Sequence, residues 1–316
     1  MRLLSLLLLF LPAIFLPPIW AGDGAPPPHA GEPRLGYLYD PGAGALRPVR
    51  GIPGAALVDG PIDPGFPAVL ASAAPAGDVA LAVSAGDGVV RRIDLRSLAA
   101  SPVAGAMAQP DTILFSPSGA AALLYSAAAG RMQAVTGLGG QASAADLPAV
   151  SGVPLAIADD GAAVVTATAD AAGIWFFDNS WPAVPLPAAA VAAAFRRGAH
   201  DALAATASGD VYLFDAGSGQ WRQVYTGDVH TQNPAGVQFA ASGTAAWVAS
   251  TGGDISTIDL AGGGAKAVSC GCTPTAFEPL SGSVYRLTGA SDPLLWIWDA
   301  ARATPGVRFV PRGVAQ

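Results

Sequence analysis

One short pattern returns along most of this chain: a Gly or Asp turn, an alternating apolar run ending in Asp, and a second turn rich in Gly, Ser or Asn. Its copies are Gly36-Tyr-Leu-Tyr-Asp40, Gly88-Val-Val-Arg-Arg-Ile-Asp94, Gly173-Ile-Trp-Phe-Phe-Asp178, Asp210-Val-Tyr-Leu-Phe-Asp215, Asp254-Ile-Ser-Thr-Ile-Asp259 and Pro293-Leu-Leu-Trp-Ile-Trp-Asp299. β-Branched and aromatic residues bounded by turn formers are the signature of strands. A carboxylate at the strand end suits the turn, because it can accept a backbone N–H two residues on. Asp178, Asp215, Asp259 and Asp299 lie 37, 44 and 40 positions apart, and the gap from Asp94 to Asp178 leaves room for a degenerate copy at Arg131-Met-Gln-Ala-Val-Thr136.

Each copy is preceded by a strand pair with its own turn, as in Thr112 to Gly119 followed by Ala121 to Ser126, or Gly236 to Gly243 followed by Ala245 to Ser250. A looser fourth strand follows it, such as Gln220 to Tyr225. Four short antiparallel strands per repeat make the blade of a β-propeller, since a lone blade cannot bury its two faces and blades packed around an axis can. A helical solenoid is excluded: no long stripe of period 3.6 free of Gly and Pro follows the first residues, and Ala188 to Phe195 is too short. Complete repeats run from Phe66 to Met107, Asp111 to Val150, Val153 to Pro187, Val191 to Val229, Pro234 to Cys272 and Thr273 to Arg312. A seventh, with two or three strands, lies within residues 36–62. The expectation is an all-β, seven-bladed propeller of four-stranded antiparallel blades over residues 36–312, with a tail at 313–316; six or eight blades are the alternatives.

These motifs resemble propellers of the WD-repeat and YVTN type, whose third strand reads like Gly209-Asp-Val-Tyr-Leu-Phe-Asp215, and Trp296-Ile-Trp-Asp299 is similar to the WD dipeptide. The chain lacks the Gly-His turn of true WD repeats, so the hydrogen-bond tetrad of that family does not carry over. The resemblance implies an architecture and a habit of binding, not a reaction.

The first residues stand apart. Met1 and Arg2 precede the apolar run Leu3 to Leu16, which ends at Pro17 and Pro18 ahead of the small Ala21 and Gly22. This reads as a secretory signal over residues 1–21, followed by a flexible Pro- and Gly-rich leader at 22–35, and it sends the protein to the periplasm or the exterior of a bacterium. A spanning helix needs about 20 apolar residues, so the mature chain is expected to carry no transmembrane helix. The net charge is −7 and Lys266 is the sole lysine. No basic surface is available, and nucleic acid is excluded as a partner.

Catalytic residues, a cofactor site and a metal site are not assigned from the sequence. The three histidines are His29 in the leader, His200 beside Asp201, and His230 with Asp228 in the loop Gly227 to Asn233. No nucleophile elbow, zinc helix or phosphate loop appears. The recurring Asp residues act once per blade and are read as turn chemistry. The candidates for a ligand loop are Asp228, His230, Trp181 and Trp221, whereas Trp175, Trp247, Trp296 and Trp298 sit inside strand patterns and are assigned to the core. Cys270-Gly-Cys272 holds the only two cysteines. It reads as a structural staple, as free or intermolecular thiols, or as a redox or metal site, metal being the weakest for want of further ligands. The function expected is non-catalytic binding of a protein or small ligand. The alternatives are a propeller enzyme of lactonase or quinoprotein type, drawing on His230, Asp228, Asn233 and Glu278, and a Cys-x-Cys redox protein.

Overall fold

The computed structural model describes residues 33–178, 182–289, 292, 294–302 and 304–313. The signal segment and leader up to residue 32, and the candidate Trp181, lie outside the described residues. Pro33 to Gln316 form one compact unit. Among the described residues every regular element is a strand.

Seven antiparallel sheets follow one another along the chain. Blade 1 holds β1 (Arg34–Asp40), β2 (Ala45–Ile52) and β3 (Ala55–Val58). Blade 2 holds β4 (Ala68–Ala73), β5 (Val79–Ser84), β6 (Val90–Asp94) and β7 (Ala100–Pro102). In blade 3 lie β8 (Thr112–Phe115), β9 (Ala122–Ser126), β10 (Arg131–Thr136) and β11 (Ser143–Asp146), and in blade 4 β12 (Val153–Ile157), β13 (Ala163–Ala167), β14 (Ala172–Phe176) and β15 (Val184–Leu186). Blade 5 is built from β16 (Ala192–Phe195), β17 (Ala202–Ala205), β18 (Val211–Asp215) and β19 (Gln220–Tyr225). Blade 6 has β20 (Pro234–Phe239), β21 (Ala245–Ser250), β22 (Asp254–Asp259) and β23 (Ala265–Ser269); blade 7 has β24 (Glu278–Ser281), β25 (Val284–Arg286), β26 (Leu295–Asp299) and β27 (Gly306–Val310). The fold is a seven-bladed β-propeller. Six blades carry four strands, and the N-terminal blade carries three. The degenerate copy at Arg131 to Thr136 is a full third strand.

Burial falls from the second strand outward, and composition follows it. Every residue of β5, β13 and β17 is buried, because both faces of these strands meet a neighbouring blade. Their sequences are accordingly runs of Ala, Val and Leu without polar alternation. The outermost β7 and β23 are exposed throughout and carry Ser, Pro and Lys. Core clusters fill the seams, as where Leu81 and Val83 of blade 2 pack with Leu124 and Val135 of blade 3.

The strand-ending Asp residues do what the motif requires. Asp40 Oδ1 accepts from Gly42 N, Asp94 Oδ1 from Arg96 N and Ser97 N, Asp215 Oδ1 from Gly217 N, Asp259 Oδ1 from Ala261 N and Asp299 Oδ1 from Ala301 N, all at 2.9–3.2 Å.

The outer strand of one blade feeds the inner strand of the next by running under its neighbour. After β7, Ala104 makes a parallel bridge to Ser143 of β11. After β27, Arg312 makes the same kind of bridge to Val58 of β3, with Val58 N donating to Pro311 O at 3.0 Å and Gly313 N donating to Val58 O at 2.8 Å. The C-terminal end thus closes the ring onto the N-terminal blade with the device that links blades 2 and 3, and residue 313 belongs to that closure.

Candidate binding face

In blades 2 to 7 the first strand begins, the second ends and the third begins at the same end, as the pairings Pro234↔Ser250 and Asp254↔Ser269 show for blade 6. In blade 1 it is the β1–β2 turn and the end of β3 that lie there, Gly44 against Ala68 and Val58 beside Arg312. That end also carries the inter-blade connectors and is called the connector face here. The strand-ending Asp turns of blades 2 to 7 lie on the opposite face, whereas that of Asp40 lies on the connector face beside Ala68. The two faces differ in what they expose. The exposed large apolar residues among the described ones are Ile52, Leu57, Val69, Val153, Val191, Val229, Val268, Leu294 and Phe309. All except Ile52 stand at or beside a strand end or connector on the connector face, whereas Ile52 ends β2 of blade 1 on the opposite face. Val229 is the most open, at 72% exposure.

Around the axis, the first strands line a central channel. One cavity of about 280 Å³ touches Ser72, Ile113, Leu155, Ala193, Val237 and Glu278, and therefore all but one of the blades. A second, of about 350 Å³, shares Ser72, Ile113 and Glu278 and adds Tyr37 to Tyr39 of blade 1. Glu278 at the connector mouth is tied to Arg286, with Nη2 2.6 Å from Oε2. Asn233, at the head of β20, has a positive φ and sends its carbonyl to Thr251 N.

His230 and Asp228 share the connector between blades 5 and 6, but they are not an imidazole–carboxylate pair. The His230 ring turns to blade 6, where Nδ1 lies 2.8 Å from Asp254 Oδ2. Asp228 instead accepts the backbone N–H of His230 at 2.9 Å and the Tyr225 hydroxyl at 2.8 Å. Asp254 escaped sequence reasoning because it lies 24 residues away; its place at the start of a third strand, under the connector, was the available signal. The hydrogen bond to Asp254 raises the pKa of His230, aided by the negative charges of Asp254 and Asp228. Partial desolvation pushes Asp228 up, but the Tyr225 hydroxyl and the His230 N–H outweigh it and hold its carboxyl below the usual range. Tyr225, desolvated and facing Asp228, is pushed up to about 12.

The cysteines lie beside this cluster. Cys270 and Cys272 are joined in a disulfide, with Cα atoms 5.1 Å apart. Cys270 N donates to Gly253 O at 2.8 Å, so the bridged turn is fastened to the turn that carries Asp254. Cys270 is buried against Trp247, Phe277, Tyr285 and Trp298 in the seam of blades 6 and 7.

Trp221 is half-buried between blades: its ring packs on Phe214 at 5.4 Å and its Nε1 donates to Val184 O of blade 4 at 3.3 Å. Trp247 and Trp298 are core residues, and Trp296 packs on Phe309. Trp175 departs from the core assignment. It is half-buried and lines a cavity in blade 4. His200 bonds to Asp160 at 2.8 Å on the opposite face.

Among the described residues no group of three or more His, Cys, Asp or Glu is arranged to hold a metal, and no helix is long and apolar enough to cross a membrane.

No family model matches the chain, and no curated protein matches it. Solved structures do. A functionally unknown protein from Desulfotomaculum acetoxidans DSM 771 superposes with a TM-score of 0.57 at 10% identity, over 89% of this chain and 100% of that one. The computationally designed Ika8 protein gives 0.56 at 14% identity over 90% and 91%, and hydrazine synthase from Kuenenia stuttgartiensis gives 0.51 at 15% identity over 73% and 76%. At these identities the likeness extends to the propeller architecture alone.

Proposed function

We propose that this chain is an exported bacterial propeller of the WD/YVTN-like kind that acts as a non-catalytic scaffold, holding a protein or small ligand against its connector face. The supporting observation is the one-sided exposure of Val69, Val153, Val191, Val229, Val268, Leu294, Leu57 and Phe309. Apolar side chains scattered singly need no explanation, whereas their concentration on one face of a ring marks an interaction surface. Val191 also lines the channel, so the surface is continuous with a central depression into which a partner can reach. The polar groups nearby fit a rim: Glu278 with Arg286 and His230 with Asp254 are already paired and solvated, and such pairs set orientation more than affinity. The apolar run Leu3 to Leu16 supports export, and a periplasmic or extracellular place suits the Cys270–Cys272 bridge.

Two measurements test this reading. The mature protein recovered from the periplasm or medium of an expressing bacterium is expected to begin near Gly22 by intact mass; a full-length chain retained in the cytoplasm contradicts export. Partner retention on the immobilised chain is expected to fall at least tenfold with Val191→Lys plus Val229→Lys and to survive Ser218→Lys on the opposite face. Equal retention by both variants contradicts the assignment of the face.

A further inference from the structure

Blade 4 contains a cavity that the face reading does not use. It measures about 320 Å³, and its lining is almost wholly apolar: Trp175, Ile174, Ala171, Ala183, Val184 and Pro185. Its polar groups are the hydroxyls of Ser151, Thr166 and Thr168 and nearby backbone, and among the described residues no charged one borders it.

Its aromatic wall is held in place by a buried polar relay. Trp175 Nε1 donates to Thr166 Oγ1 at 2.9 Å, and Thr166, itself only 2% exposed, donates to Ser151 O at 2.9 Å. Gly152 brings that carbonyl into reach. It has φ +103°, and a Cβ there would stand 2.5 Å from Ala167 O, so only glycine lets the connector lie this close. The opposite wall is braced from the next blade, where Trp221 Nε1 donates to Val184 O at 3.3 Å. Gly173, paired with Pro185, leaves the floor without a side chain beside the indole.

The result is a half-buried indole, its nitrogen satisfied by the Thr166 hydroxyl, that stands in the wall of an uncharged space. A fixed aromatic wall saves a ligand the entropy of ordering it. An apolar pocket with a few convergent hydroxyls is the ordinary form of a small-molecule site. We propose that this cleft binds small neutral aromatic molecules of one or two rings, stacked on Trp175, with a ring hydroxyl or N–H within reach of Thr168 or Ser151. An ionised ligand would lose its hydration without gaining a counter-charge. The proposal does not depend on the connector-face reading.

The test is a titration of the full mature chain, ¹⁵N-labelled, with 3-methylindole and p-cresol. The indole Nε1–H signal missing from Trp175→Phe identifies the reporter. It is expected to shift saturably, with Kd on the order of 0.1–1 mM for ligands of this size, while the other indole signals stay still. Benzoate and benzylamine are expected to bind at least tenfold more weakly. Ala183→Phe, a change at an exposed position, fills the cleft and is expected to abolish the shift without altering the melting curve. No saturable shift, or one that survives Ala183→Phe, overturns the proposal. So does tighter binding of N-acetyl-tryptophanamide than of 3-methylindole, which would assign the cleft to rings borne on a polypeptide.

Discussion

At the scale of single residues, the carboxylates divide by what they hold. The strand-ending Asp residues were legible because an Asp ahead of a Gly- or Ser-rich turn has one local job, and five of them do it by accepting the N–H two residues on. Asp159 also sits in a turn, yet it reaches two other blades: Oδ1 accepts Ser118 N of blade 3 and Oδ2 accepts Gly198 N of blade 5, both at 2.7 Å. No local pattern encodes a partner 41 positions away. Burial pushes the Asp159 carboxyl up, and the bonds from Ser118 and Gly198 outweigh it and leave it low. A lowered carboxyl contributes stability that is present above the unfolded value near 3.9 and lost as pH falls through the folded one. Asp159→Ala is therefore expected to cost about 2 kcal/mol in urea unfolding at pH 7, with the difference from wild type shrinking toward pH 3. A cost unchanged at pH 3 contradicts the charge-assisted account. His230 has the opposite sign. Its raised value means that its pairing with Asp254 stabilises fully below about pH 6.5 and fades as pH climbs through the folded value. Ring-proton NMR should show Asp254→Asn lowering the His230 midpoint, and Asp228→Asn lowering it less. The reverse order would restore the sequence pairing of His230 with Asp228.

At the scale of elements, third strands were the clearest part of the chain because alternation and a terminal Asp mark them twice. Second strands were recognisable as unbroken apolar runs. Outer strands were weak: Ser143–Asp146 and Ala100–Pro102 are exposed and short, so no burial pattern distinguishes them from loop. The cleft at Trp175 was not legible either. Alternation places that residue on a strand face, but whether the face meets a neighbouring blade depends on a three-residue β15 and on Gly173. The Cys270–Cys272 bridge is an element-level clamp, closing the turn from β23 to β24 and tying it to Gly253. Closing so short a loop removes little chain entropy, so Cys270→Ser with Cys272→Ser is expected to cost roughly 1–2 kcal/mol. That corresponds to a few degrees in melting temperature. Wild type treated with a dithiol reductant should melt with the double variant. If reduction leaves the melting temperature unchanged, the bridge is not a staple; if reduction alone changes ligand retention on the connector face, the redox reading gains its support.

At the scale of the whole molecule, a propeller is only as stable as its last seam. Here the seam between blades 7 and 1 is filled by Leu35, Val49, Val58, Leu280, Ile297 and Val310 and locked by the bonds of Pro311 and Gly313 to Val58. Closure removes the exposed edges that a linear array of blades would present. Deleting residues 311–316 leaves β27 intact and removes both bonds to Val58. It is expected to cost at least about 2 kcal/mol and to raise hydrogen exchange first in blades 1 and 7. Uniform loss of protection around the ring would instead mean that no seam is special. The repeat that makes the fold readable also conceals the function, since a residue present in every blade says nothing about one site. What distinguishes the two faces is the irregular part, the connectors and the apolar residues at their ends. The most direct measurement is site-specific photo-crosslinking of the chain in the cells that produce it, with the reactive side chain at Val229 or Val191 on the connector face and at Ser218 or Arg96 on the opposite face. A discrete adduct from Val229 and Val191, competed by excess unmodified chain and absent at Ser218 and Arg96, is the predicted result. Adducts arising equally from both faces, or from Ser218 and Arg96 alone, would contradict it.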